Sequence, residues 1–220
     1  KWAIKIINNI ESKPNVNIVQ KFKSKADYDS NIYNLNSSID IVLFLGWSWI
    51  IPKDILDRYL CLGIPPSDLP KYRGGSPIQN QIIDGINQTK VSLFTISEKL
   101  DQGDIWLKEN LNLNGKNMEI IFNEIERSST KLLNNFFNEY PNIKPLKQDI
   151  TKGSYFKRRT PKQSRLEIDD FKNKSLEEIY NYIRCLTDPY PNAFIEDKYG
   201  NKLLFKEVQF ISNPQERMKK

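Results

Sequence analysis

The residues of this sequence best suited to chemistry are a carboxylate in a glycine turn, an arginine in a proline- and glycine-rich loop, and a close pair of tryptophans. The carboxylate is Asp101, within Leu100-Asp101-Gln102-Gly103-Asp104. By type and setting it first suits capping of its own tight turn, and, were its pKa raised by burial, general-base work. Pro65–Pro77 holds four prolines and two glycines in thirteen residues. That is too many for regular structure, so a long shaped loop of the kind that carries function is expected. Within it, Gly74 and Gly75 let backbone approach a ligand, and Arg73 can pair with a carboxylate or phosphate or stand exposed in a turn. Ser67, Asp68, Lys71 and Glu98 are the side chains that would supplement Asp101. Trp47 and Trp49 alternate around Ser48, which predicts one indole facing the core and the other a pocket, where it could stack on a flat ring. Lys157-Arg158-Arg159, with Lys162 and Arg165, suit a diphosphate or RNA contact, or a solvated basic arm.

What is missing is as informative. The chain has no histidine, which excludes every His-based triad, dyad and zinc set. Two cysteines do not replace them, and no metal site is expected. Cys61, with no histidine to lower its pKa, reads as an inert buried thiol.

Elements that could position these residues follow from periodicity. Ala3, Ile6, Ile7 and Ile10 mark a helix from Trp2 that stops before Lys13-Pro14. Val16–Val19 reads as a short strand, and Ile39–Leu45 as a strand buried on both faces. A helix is expected at Lys53–Tyr59, a strand at Tyr59–Ile64, a helix at Ile78–Ile86, and strands at Val91–Ile96 and from Ile105. Ile121, Phe122, Ile125, Leu132, Leu133, Phe136 and Phe137 stripe one long helix from Met118 to Tyr140. Composition turns basic and polar over Lys144–Lys162, a linker or docking arm. Beyond it lie a capped helix at Ser175–Leu186 and a hairpin turning at Tyr199-Gly200-Asn201. The class is α/β with a parallel or mixed sheet and a small α+β C-terminal appendage. Domain limits are placed at 1–150 and 151–220. A chain of this pattern normally opens with a buried strand before its first helix, so the numbering is expected to start after that strand.

The 220 residues, 39% hydrophobic and 11% aromatic, bury a real core and exclude disorder. The longest apolar runs fall far short of the roughly 20 residues of a bilayer span, and with so few cysteines a cytoplasmic location is expected. A formal charge of +6 suits an anionic partner.

The run Leu69-Pro70-Lys71-Tyr72-Arg73-Gly74-Gly75-Ser76-Pro77-Ile78-Gln79-Asn80, followed by Leu100-Asp101-Gln102-Gly103-Asp104-Ile105, resembles the formyltransferase superfamily. It looks most like the nucleotide-sugar N-formyltransferases, relatives of methionyl-tRNA formyltransferase. The likeness extends to Trp47–Pro52, Lys157–Pro161 and Tyr190–Phe194. It implies a Rossmann-like formyltransferase sheet flanked by helices, 10-formyltetrahydrofolate as donor, and the amine of a nucleotide-linked amino sugar as acceptor. The tail shows no aromatic RNA-binding signature and the apolar runs are short, so no nucleic-acid or membrane partner is expected; the partner expectation that remains is a homodimer. Donor and substrate would meet Trp47, Trp49, Ile50, Ser67, Asp68, Arg73, Gly74 and Gly75. The family's chemistry rests on an Asn, a His two residues later, and an Asp. Laid on without a gap, these positions fall on Gly63, Pro65 and Asp101, so only the aspartate is kept. A further His of a related branch falls on Gly46. Loss of an oxyanion donor costs on the order of 10²–10³ in rate, and proline offers neither donor nor base. Two alternatives therefore stand beside formyl transfer: an N-acetyltransferase of the same fold using acetyl-CoA, and an inactive homologue that binds ligand or serves as a partner domain.

Overall fold

The computed structural model describes residues 2–213. Helix α1 (Trp2–Glu11) buries Ile6 and Ile10, the face that its three- and four-residue spacing predicts, against the long helix described below. Val16–Val19 is not a strand. Lys13 and Val16 close successive backbone turns, Val19 is 62% exposed, and among the described residues no strand pairs with the segment. The polar connection instead forms α2 (Lys25–Asn31), capped by the Ser24 hydroxyl, which accepts from Asp27 N.

Strand β1 (Ile41–Phe44), helix α3 (Lys53–Arg58) and strand β2 (Leu60–Gly63) follow, and β1 and β2 run parallel. β1 is only half-buried over Ile41–Leu43, against the expectation of burial on both faces. Its only described strand neighbour is β2, whereas β2, one position inward, buries Cys61, Leu62 and Gly63. The loop from Pro65 is irregular as expected and carries one two-residue strand, β3 (Arg73–Gly74). Helix α4 (Pro77–Ile83) begins with its proline at the first turn, where the missing N–H costs nothing. Strands β4 (Gln88–Thr95) and β5 (Ile105–Asn112) pair antiparallel with a bulge between Leu93 and Phe94, and β4 lies antiparallel on β2. The sheet order is β1-β2-β4-β5, so the sheet is mixed.

Helix α5 (Met118–Glu139) is capped by Asn117 and buries Met118, Ile121, Ile125, Leu132, Leu133 and Phe136 against β5 and β4. The basic segment after it is a docking arm. Leu146 pairs with Ile105, and β6 (Tyr155–Phe156) pairs parallel with β3, so the arm is stitched to the loop that precedes α4. A short helix, α6 (Asp170–Asn173), leads into α7 (Leu176–Arg184), whose capping box joins Ser175 and Glu178. Strands β7 (Ala193–Glu196) and β8 (Lys202–Phe205) form the expected hairpin. Its turn is held by Asp197, which accepts from the N–H groups of Tyr199 and Asn201. Among the described residues no helix is long and apolar enough to cross a membrane.

Arg184 fastens α7 to the rest. It is 2% exposed and donates to the carbonyls of Leu113 and Gly115 at 2.5 and 2.8 Å and to Asn181 Oδ1 at 2.8 Å. Burial lowers its pKa. Arg184→Met keeps much of the volume but leaves two buried carbonyls unpaired, at about 1–3 kcal/mol for each orphaned group. Urea unfolding is expected to show a midpoint lower by the equivalent of about 3 kcal/mol at unchanged slope; an unmoved midpoint contradicts this role.

Candidate active site

Asp101 does not cap its own turn. It sits at φ +52°, and its Oδ2 accepts a 2.7 Å hydrogen bond from Gly74 N, 27 residues away in the sequence. The turn carrying it is built tightly. Thr95 N donates to Asp104 O at 2.8 Å, and a Cβ placed on Gly103 would lie 1.7 Å from Thr95 O, so only glycine fits. Burial raises the Asp101 pKa, while the Gly74 N–H and the positive charge of Arg73 pull it back. The result is a carboxyl easier to protonate than a surface aspartate.

The partner loop is equally constrained. Gly74 has φ +93°, and a Cβ there would meet Phe156 O at 2.3 Å; one on Gly75 would meet Arg158 Cα at 2.2 Å. Both glycines are required because the arm passes directly against them. Its contacts run in register: Arg73 N donates to Ser154 O at 3.0 Å, Gly75 N to Phe156 O at 2.8 Å, Tyr72 N to Ser154 Oγ at 2.8 Å, and Arg159 N to Ser76 Oγ at 3.1 Å. The Tyr72 ring stacks on Phe156 with centroids 5.2 Å apart. Arg73 is buried, and its Nε donates to Pro70 O at 3.2 Å, so the exposed-turn reading of this arginine is set aside.

The remaining sequence candidates fall into separate places. Asp68 pairs with Lys108 Nζ at 2.6 Å, which ties the loop to β5. Ser67 is fully buried; its carbonyl accepts from Ser92 Oγ at 2.8 Å, while its own hydroxyl has no partner. Trp47 packs in an aromatic cluster with Tyr28, Phe44 and Trp49, at centroid distances of 4.7, 5.5 and 4.9 Å. Trp47 is partly buried, Trp49 half-exposed and Ile50 93% exposed. No hydrogen bond or ring contact among the described residues joins that cluster to Asp101. Glu98 is engaged by Lys53 at 2.7 Å on the surface. Cys61 is buried, and burial pushes its thiol up to about 12, which agrees with the inert reading. In the arm, Arg159 stacks over Tyr182 and Arg165 pairs with Glu167, whereas Lys157, Arg158 and Lys162 are exposed. Among the described residues no cluster of potential metal ligands occurs.

Gly63 and Pro65 lie where the chain leaves β2. Pro65 O accepts from Ser92 N at 3.2 Å. A Cβ on Gly63 would come within 2.9 Å of the buried Phe94 ring and 3.2 Å of Ile96 Cδ1. Gly63→Asn is therefore expected to overpack this point and cost about 1–3 kcal/mol, with Phe94→Leu in the same chain recovering part of it. Thermal melts of the single and double variants check this, and a single variant as stable as the parent contradicts it.

Gln148, Ser154 and Phe156 hold the site loops and were not singled out by sequence reasoning. The aromatic pair Tyr155-Phe156 was the one available hint of a strand in the arm.

The chain belongs to the formyl transferase family: the Formyl transferase family model matches residues 7–132. Among curated relatives, the methionyl-tRNA formyltransferase of Caldicellulosiruptor saccharolyticus is 32% identical over 87% of this chain and 60% of its own length. The chain thus spans less than two thirds of that relative. The solved methionyl-tRNA formyltransferase from Clostridium thermocellum is 32% identical, with a TM-score of 0.76 over 96% of this chain and 90% of the solved one. A sugar N-formyltransferase from Shewanella sp. FDAARGOS_354 shares the fold at 16% identity, TM-score 0.72, over 96% of each chain. HypX from Aquifex aeolicus, solved in complex with tetrahydrofolic acid, does so at 19% identity, TM-score 0.57, over 71% of this chain and 27% of its own.

Proposed function

We propose that this protein is an N-formyltransferase that draws its formyl group from 10-formyltetrahydrofolate and delivers it to the amine of a nucleotide-linked amino sugar, with Asp101 as the base. The observation that carries the reading is the half-buried Asp101 carboxylate, held by the Gly74 N–H, in a turn that only Gly103 fits and against a loop whose Gly74 and Gly75 make room for the arm. The residues fit a flat donor. The half-exposed Trp49 indole and the exposed Ile50 offer apolar surface to a heteroaromatic ring. When bound, the donor supplies an N-formyl group open to attack by an amine. The protein's part is to orient the amine and to take its proton on Asp101, whose raised pKa brings it closer to that task than a surface aspartate. Exposed Lys157, Arg158 and Lys162 stand ready to meet a diphosphate.

Family membership, the shared fold of a sugar N-formyltransferase, and the tetrahydrofolate complex of HypX support this reading. The acetyl-CoA alternative gains no support from these relatives. A second acceptor, methionyl-tRNA, is favoured by one observation, the 32% identity to the methionyl-tRNA enzymes. With Gly63 and Pro65 at the family's Asn and His positions, two side chains are lost as donors, and turnover is expected to be slower by the worth of at least one oxyanion donor, about 10²–10³. Incubation with 10-formyltetrahydrofolate and, in separate reactions, a panel of nucleotide-linked 4-amino sugars and methionyl-tRNA tests the proposal. Formyl gain on a sugar supports it, gain on the tRNA alone replaces the acceptor, and folate binding without any product favours the inactive homologue.

A further inference from the structure

Gln148 belongs to the arm, in a stretch whose composition reads as linker, yet it is only 7% exposed. Its Nε2 donates to two carbonyls of one turn, Asp101 O at 3.1 Å and Gly103 O at 2.6 Å. Both amide hydrogens are thereby spent on carbonyls of the aspartate's turn, one of them the aspartate's own. The residue is itself anchored by the Leu146–Ile105 pairing two positions earlier, with bonds of 2.8 and 2.7 Å. Six residues further on, Ser154 carries the same arm onto Arg73 and Tyr72. One segment therefore grips both sides of the Asp101–Gly74 hydrogen bond. An L-residue at φ +52° without a side-chain hydrogen bond to its own turn is held by its surroundings, and Gln148 is the side chain that does the holding.

We infer that Gln148 is a positioning residue, setting the Asp101 turn so that its carboxylate meets Gly74 N and faces the acceptor amine. The role in turnover rests on the formyl-transfer reading; the role in geometry does not.

Gln148→Glu is the sharpest test, since it keeps shape and size but sets an acceptor-only carboxylate against two carbonyl oxygens. Gln148→Met removes the donors without adding charge and serves if the first variant does not fold. The amide proton of Gly74, read by heteronuclear NMR, is expected far downfield in the parent, as for an N–H bonded to a carboxylate, and to move upfield in either variant. In the sugar formylation assay kcat is expected to fall about 10²-fold with the donor KM nearly unchanged. Gln148→Asn, which retains the donors on a shorter arm, is expected to recover part of both signals. A Gly74 amide unmoved in the folded variants overturns the inference, even if their melting temperature falls. A parent that transfers no formyl group while its Gly74 amide still responds refutes the formyl-transfer reading and leaves the positioning role of Gln148 in place.

Discussion

Asp101→Asn is expected to abolish most turnover while leaving the fold intact. An amide can still accept from Gly74 N, so the loops stay joined, but it takes no proton from an amine. The expected loss is about 10²–10⁴ in kcat, the usual worth of a positioned base. Stability provides an independent sign. Burial raises the folded pKa of Asp101, so the native state binds the proton more tightly than the unfolded chain does. Its contribution to stability then falls as pH rises through the window between the ordinary aspartate value and the raised one. The variant lacks this penalty. Its melting temperature relative to the parent should therefore climb across that window and stay level above it. Turnover within tenfold of the parent, or a stability difference running the opposite way with pH, contradicts the assignment.

Gly103→Ala should have the largest effect on stability. The added methyl would lie 1.7 Å from Thr95 O and 2.8 Å from Thr95 C. Both are backbone atoms, so no rotamer change relieves the clash. The turn must open, losing the Thr95–Asp104 bond and the hold of Gln148 on Gly103 O. A cost of about 4 kcal/mol or more is expected, at the top of the range for single substitutions, and formyl transfer should fall with it. Gly85→Ala is the control. Gly85 has φ +76° but open space around it, so only the left-handed backbone is penalised, at about 1–2 kcal/mol. Equal melting temperatures for the two variants would show that the collision at Gly103 is absorbed elsewhere.

Much of this architecture can be read from local pattern. The stripe on α5, the capping box of α7, the hairpin at Gly200 and the irregular loop ending at Pro77 each follow from residue spacing that acts over a few positions. Val16–Val19 fails for a reason the pattern does not contain: a strand exists only where another offers hydrogen bonds, and among the described residues none offers them to these four. Overestimated burial of β1 has the same origin, because apolar content says nothing of a strand's place in the sheet. The site was legible in its parts and not in its assembly. Asp101 and the glycines of the loop stand out by type, but the bond joining Asp101 to Gly74 spans 27 residues. Gln148 is a neutral residue in a basic stretch and gives no periodic or charge signal at all. Arg184 is similar. Its carbonyl partners lie about seventy residues away, and sequence presents it as one more surface arginine at a helix end.

The most direct test of a histidine-free formyl transfer is the pH dependence of kcat for the parent and for Asp101→Asn, with 10-formyltetrahydrofolate and the nucleotide-linked amino sugar that the panel selects. The parent is expected to show an ascending limb of unit slope above the ordinary aspartate range, distinct from the ionisation of the acceptor amine at higher pH, and the variant to lack it. An identical limb in both proteins, or no formylated sugar at any pH, would contradict the account.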